Sequence, residues 1–291
     1  MEIVKKRSPG EVVLGFFLLC HPLPVLFHLL AVTLFALLAT WPHIEWGIVG
    51  LIVAAHTAMQ LSIAVWNDYC DRQVDASAKK NKPIPRGLVR PQEAFITGLL
   101  LIILMVLLLL PLNPFALYIS LLYLALGQGY NFGLKSTPWS GIVFALAIPL
   151  IPVYAFVASG HIIPFIFWLV PVAALLGIAL NLANSLPDIE DDRANNAHTL
   201  AVVLGVRGSF IVCSACILLS ILFIAILTLN HFVSVRNMLI GPTLFFCTLA
   251  AFASLFLFIS EQHSLSRKLY FYFVVVLCLV LVTGWLLAVL V

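Results

Sequence analysis

Charge is the scarcest resource in this sequence. Of its 291 residues only 9% are Asp, Glu, Lys or Arg, while 63% are hydrophobic; a soluble domain of ordinary composition carries about 25% charged residues. That shortage excludes an ordinary water-soluble fold and points to an integral membrane protein, for which lipid is most of the solvent. Acids are fewer still, twelve in all, and none lies in the middle of an apolar run. This argues against a transporter or cation-binding scaffold, because transport sites lie near the bilayer midplane. Cysteine is sparse, six residues, five of them in apolar stretches. Cys213 and Cys216 form a CxxC, yet no charged residue or histidine stands near them, so they read as helix packing rather than a redox or metal pair. Long polar connections are scarce too: apart from Trp66 to Gln92 and Asp188 to Gly208 the connections are short, and the chain reads as one membrane domain over residues 1–291.

What is present is a succession of apolar windows, each close to the roughly 20 residues a spanning helix needs. Nine are expected, at about residues 12–39, 46–66, 93–111, 114–133, 140–159, 162–186, 209–229, 238–259 and 269–290. The first follows Lys5, Lys6 and Arg7 but is too long for a signal peptide and lacks a small-residue cleavage pattern, so it reads as a retained helix. Cytoplasmic flanks are rich in Lys and Arg. With the N-terminus inside and nine crossings, fourteen of the fifteen basic residues fall on the cytoplasmic side and only Arg236 outside, which puts the C-terminus outside. The expected location is the cell membrane, multi-pass.

Seven of the twelve acids gather in two places: Asp68, Asp71 and Asp75, then Asp188, Glu190, Asp191 and Asp192. The clusters follow the second and sixth windows, and four crossings between them return the chain to the same, cytoplasmic face. If the second helix continues through the first cluster, Asn67, Asp68, Asp71 and Asp75 share one side, because offsets of three, four and seven or eight residues lie on one helix face. Asp188 and Asp192, four apart, do the same, with Asn184 one turn earlier. Like charges so close need compensating cations. Hard oxygen donors in an open array suit Mg²⁺, which takes one or two carboxylates plus waters and phosphate oxygens. Arg72, Lys79, Lys80, Lys82, Arg86 and Arg90 accompany the first cluster, and Lys135 and Arg193 come from neighbouring loops. Acids for metal beside bases for an anion describe a diphosphate site.

His21 and His28, seven apart on the first helix, and His56 on the second are membrane-embedded ionisable groups that face a bundle interior. They line a pocket or bond between helices; the pattern fits both. Gly129 and Gly133 form a GxxxG on the fourth window and read as a helix-packing face.

The stretch NDYCDRQVD, Asn67 to Asp75, resembles the NDxxDxxxD signature of the UbiA superfamily of intramembrane prenyltransferases. NKPIPRG resembles that family's basic Pro-Ile-Pro segment, YNFGLKSTPWS the loop after its fourth helix, and NSLPDIEDDRANNAHTLAVVLG its second aspartate motif. The resemblance runs to about Gly205; the last three helices match only as apolar spans. It implies an all-α integral membrane protein with nine transmembrane helices around a central cavity and cytoplasmic cap loops. It also implies Mg-dependent transfer of an isoprenoid from a prenyl diphosphate to a lipophilic acceptor, such as a quinone or other aromatic, a tetrapyrrole or a glycerol-type lipid. Partners are then the two substrates and membrane lipid, with no nucleic acid.

By the same resemblance, two Mg²⁺ would be held by Asn67 and Asp71 and by Asp188 and Asp192, with Asp68 and Asp75 as further ligands or orienters. Asp71, Asp75, Asp188 and Lys135 carry the catalysis. Arg72, Lys82, Lys135, Arg193, Tyr130 and Asn131 attend the diphosphate, under a lid over residues 76–91 stiffened by Pro83 and Pro85. Two departures from the family pattern stand out. His21 occupies the region where members often carry an Arg, and Asn195, Asn196, Ala197 and His198 replace a Gly-Lys before Thr199. A terpene cyclase of the same superfamily, ionising the prenyl diphosphate without an acceptor, is the alternative activity.

Overall fold

The computed structural model describes residues 7–78, 80–258 and 263–290; the basic residues Lys5, Lys6 and Lys79 counted above lie outside the described residues. Among the described residues the protein is helical, with no strand. The helices are α1 (Pro9–Leu19), α2 (Pro22–Ala39), α3 (Trp46–Ala78), α4 (Pro91–Leu109), α5 (Pro114–Asn131), α6 (Ser140–Ala158), α7 (Ile166–Ser185), α8 (Ile189–Ala194), α9 (Leu200–Leu229), α10 (Asn237–Phe258) and α11 (Ser264–Leu290). Eight of these are long and apolar enough to cross a membrane. The 18-residue α5 falls outside that group because it ends in Gln128, Tyr130 and Asn131.

Local rules set the boundaries. Proline opens α1, α2, α4 and α5, at a position where its missing N–H removes no intrahelical bond. Ser8 and Glu11 close a capping box on α1, and the Asn113 side chain accepts from the Phe115 amide at the start of α5, at 3.0 Å.

The first apolar window is not one helix, as the sequence suggests, but two. His21 adopts a left-handed conformation, φ 46, between α1 and α2. The residue before a proline is pushed out of the helical region, and His21 precedes Pro22. A second departure is Gly205, φ 70, which kinks α9 between the short segment after Thr199 and the span proper.

α3 is the helix that matters most for the site. At 33 residues it is about 50 Å long, against an apolar bilayer core of about 30 Å. Its last turns, from Asn67 on, therefore emerge from the apolar layer as continuous helix. α6 and α7 are the most enclosed spans, whereas α4 and α10 lie at the periphery. The GxxxG expectation is corrected: Gly133 lies beyond α5 at φ 136, with open space beside it, and Gly129 meets only Leu134 of the following turn. The close approach is at Gly127, where a Cβ would stand 2.6 Å from Ile63 Cδ1 on α3.

Candidate active site

Because α3 runs unbroken to Ala78, its polar residues emerge as one face, and basic side chains from three other segments reach it. Asp68 and Asp75 are 2% and 4% exposed. Lys82, on the loop after α3, places its ammonium 2.9 Å from Asp68 Oδ1 and 2.8 Å from Asp75 Oδ2. His21 Nε2 reaches the same Asp68 oxygen at 2.9 Å, and the left-handed turn before α2 is what carries it there. Lys135 comes from the 3-10 turn Leu134–Ser136 after α5 and donates to both oxygens of Asp71 at 2.5 Å and to Asn67 Oδ1 at 3.0 Å. Burial alone would depress the Lys82 ammonium, but Asp68 and Asp75 outweigh it and hold its pKa above the usual lysine value.

The second acidic segment begins where Pro187 turns the end of α7 into a 3-10 turn, Leu186–Asp188, and continues as α8. Asp188 and Asp192 are half-buried, while Asp191 is exposed. Tyr130, at the end of α5, lies within electrostatic reach of Asp71 in the first cluster and Asp192 in the second. The loops are tied as well: the His198 amide donates to the Ser136 carbonyl at 2.9 Å, joining the turn after α8 to the one that presents Lys135. Asn196, φ 55, makes that turn in a left-handed conformation that asparagine tolerates.

The remaining expected residues are placed as follows. Asn131 is buried and donates to the Ile63 carbonyl at 2.9 Å and to Gln128 Oε1 at 3.2 Å, so its amide joins α5 to α3 at the rim of a cavity. Arg72 folds back on its own helix, its guanidinium 4.2 Å from the centre of the Tyr69 ring and 2.6 Å from the Tyr69 carbonyl. Arg193 is exposed in the last turn of α8. Sequence reasoning gave no site role to Arg267 or Glu190. Arg267 is 1% exposed and donates to both Glu190 carboxylate oxygens at 2.7 Å, pinning α8 to α11. The signal available was its place in the basic pair Arg267 and Lys268, directly before the apolar run of residues 269–290.

No three His, Cys, Asp or Glu side chains among the described residues converge as a ready metal cage. The donor set fits magnesium nonetheless. Asn67 Oδ1 and both Asp71 oxygens already converge on one cation, the Lys135 ammonium, and Mg²⁺ asks for one or two carboxylates, with substrate and water oxygens completing its shell.

Below this face lies a cavity of about 220 Å³ whose rim includes His21, Asn67, Tyr130 and Asn131. A second, of about 300 Å³, runs from Asn184, beside the second cluster, past His28 and Phe144 to Phe35, Leu169 and Val282.

Comparison with known proteins agrees with this geometry. The model of the UbiA prenyltransferase family matches residues 25–277. The chain therefore belongs to the UbiA prenyltransferase family. It is 29% identical over 168 residues to a 4-hydroxybenzoate octaprenyltransferase of Vibrio atlanticus, covering 55% of this chain and 58% of that protein. It is 31% identical over 159 residues to a digeranylgeranylglyceryl phosphate synthase of Natronomonas pharaonis, covering 54% and 57%. These matches span little more than half the length of the relatives. A UbiA homolog from Archaeoglobus fulgidus, solved with GPP and Mg²⁺, has the same fold, with a TM-score of 0.73 at 15% identity over 93% of this chain and 98% of that one.

Proposed function

We propose that this protein transfers an isoprenoid chain from a prenyl diphosphate to a lipophilic acceptor, in a Mg-dependent reaction, within a single membrane domain in which α5 is the ninth crossing. The observation that carries the reading is the convergence of Asn67 and Asp71 oxygen donors on one cation at a residue, Asn67, that lines the first cavity, with the second cavity reaching Asn184 one turn before the second acidic segment. The Mg²⁺-bound relative with GPP supports the same assignment.

Magnesium, when bound, would neutralise the diphosphate and make it a good leaving group; Asn67, Asp68, Asp71, Asp75, Asp188 and Asp192 are the oxygens that would hold it. The chain's own residues do the rest. Lys135 and Lys82 bring positive charge to the mouth, where negative charge grows on the departing oxygen. His21 and Lys82 fix Asp68, and Lys82 fixes Asp75, so the α3 carboxylates keep their direction. The prenyl C1–oxygen bond breaks with its electron pair leaving on pyrophosphate; the acceptor supplies the pair for the new bond at C1 and gives up a proton. The apolar walls of the second cavity exclude water from the allylic cation and accommodate the tail.

The test is to incubate the detergent-purified protein with Mg²⁺ and farnesyl or geranylgeranyl diphosphate, with and without membrane lipid extract. Pyrophosphate release and products are followed by mass spectrometry, beside Asp71→Ala and Asp188→Ala. Product that requires the extract and vanishes in both variants is expected. Cyclic hydrocarbon formed without any acceptor would replace this reading with that of a terpene cyclase.

A further inference from the structure

The 220 Å³ cavity has a built polar floor. Three elements each place a pair of residues on its wall seven positions apart: His21 and His28 at α2, Asn67 and Gln60 on α3, and Tyr130 and Tyr123 on α5. Seven residues are two helical turns, about 10 Å. His21, Asn67 and Tyr130 form the mouth at the level of the aspartates; His28, Gln60 and Tyr123 lie at the bottom, inside the apolar layer. There the Gln60 amide donates to the Tyr123 hydroxyl oxygen at 2.7 Å and to His28 Nδ1 at 3.2 Å. Tyr123 thus receives a hydrogen bond and keeps its own proton to give. His56 backs the group, its ring 5.6 Å from Tyr123 and 5.8 Å from Tyr154.

An isoprenoid tail has no use for this floor, and the second cavity offers it a better place. That one is lined by apolar side chains except at Asn184, His28 and the Cys278 thiol, and it opens beside the second acidic cluster. The two cavities share Pro24, His28, Phe144 and Ile148, so their occupants meet side by side. Among the described residues no Lys, Arg, Asp or Glu lines the polar-floored cavity, whose ionisable side chains other than the two tyrosines are His21 and His28. An anionic head group inside it would lie buried with no lysine or arginine against it, which is disfavoured. A neutral hydroxyl, by contrast, finds both a donor and an acceptor. Aromatic walls at Tyr130 and Phe144, whose rings are 5.5 Å apart, favour a flat ring, and a cavity of about 150 Å³ already admits benzene.

We infer that this cavity is the acceptor site and that the acceptor is a neutral hydroxylated aromatic ring, its hydroxyl held by Gln60 and Tyr123 two turns below the diphosphate. The inference rests on the prenyl-transfer reading and specifies the substrate class of that site.

The experiment measures equilibrium binding by calorimetry on the full chain in detergent, without turnover. The probes are hydroquinone, as the neutral diphenol, and 4-hydroxybenzoate, as an anionic counterpart, tested on the wild type, Gln60→Leu and Tyr123→Phe; Tyr123→Phe keeps the ring and so guards against a misfolded Gln60 variant. Hydroquinone is expected to bind the wild type at least tenfold tighter than 4-hydroxybenzoate and to lose about tenfold in each variant. Binding of geranylgeranyl diphosphate with Mg²⁺ is measured in parallel and is expected to survive in both variants and to vanish in Asp71→Ala. Hydroquinone affinity unchanged in both variants, or tighter binding of 4-hydroxybenzoate, overturns the inference. Failure of the wild type to bind the diphosphate overturns the prenyl-transfer reading instead, while the hydroquinone comparison still decides the character of the cavity.

Discussion

Asp68 and Asp75 are as buried as core leucines, and one ammonium, that of Lys82, serves both. Removing one partner of a buried ion pair typically costs about 3–5 kcal/mol, because the remaining charge is stranded. Lys82→Met should therefore lower the thermal midpoint in detergent by several degrees, while Lys82→Arg keeps most of it. The pH dependence has a definite sign. A lysine whose folded pKa lies above its ordinary 10.5 contributes stability that is complete below 10.5 and is lost as pH rises through the folded value. The midpoint of the wild type should keep this contribution up to about pH 10 and fall beyond 10.5, and Lys82→Met should lack that alkaline decline. Arg267 acts at one remove: it touches Glu190, not the diphosphate face, yet Glu190 sits between Asp188 and Asp192 on the same short segment. Arg267→Met is expected to raise the Mg²⁺ concentration for half-maximal pyrophosphate release several-fold, with the saturating rate less affected; a magnesium titration of both proteins checks this.

Among the elements, α3 and α4 make the tightest contact that a substitution can probe. A Cβ at Gly98 would fall 2.1 Å from Trp66 Nε1, whose hydrogen bond to the Phe95 carbonyl, 3.2 Å, joins the two helices. Gly98→Ala should destabilise by about 1–3 kcal/mol through overpacking, and Trp66→Leu in the same chain should recover part of the loss; unfolding in detergent followed by circular dichroism measures both. The spans were legible in the sequence because hydropathy is a local property, summed over one turn after another. The break at His21 was half-legible: Pro22 marks it, but an uninterrupted apolar run of residues 12–39 masks it. The spacing Asn67, Asp68, Asp71, Asp75 announced the face of α3, and the structure keeps it. What spacing does not encode is which cation answers which acid. Lys135 on Asp71 and Lys82 on Asp75 are meetings between segments, as is the floor formed by His28, Gln60 and Tyr123. The seven-residue intervals from His21, Asn67 and Tyr130 were present in the sequence, but only the bundle shows that they run in parallel down one cavity.

For the whole molecule, the basic residues set an orientation that labelling can test. In a background lacking Cys20 and Cys70, a cysteine replacing Arg236 should react with a membrane-impermeant maleimide in intact cells, whereas one replacing Arg193 should react only after permeabilisation. The opposite pattern would invert the proposed topology and place the acidic face outside. The first acidic cluster and its fold-wide partners were not equally visible from composition. Charge scarcity marked every charged loop as a candidate, yet it gave the same weight to Arg72, which turns back onto Tyr69, as to Lys135, which holds the centre of the site.

The sequence distances within those ion pairs carry a consequence for biosynthesis. Lys82 follows Asp75 by 7 residues, Lys135 follows Asp71 by 64, and Arg267 follows Glu190 by 77. At about 5–20 residues per second of synthesis, the first partner emerges within about a second or two and the others only after several. Lys82 is thus the earliest lysine partner available to the Asp68 and Asp75 carboxylates as the chain is made. A loss of Lys82 should accordingly register first as a lower yield of inserted protein, before any enzyme can be assayed.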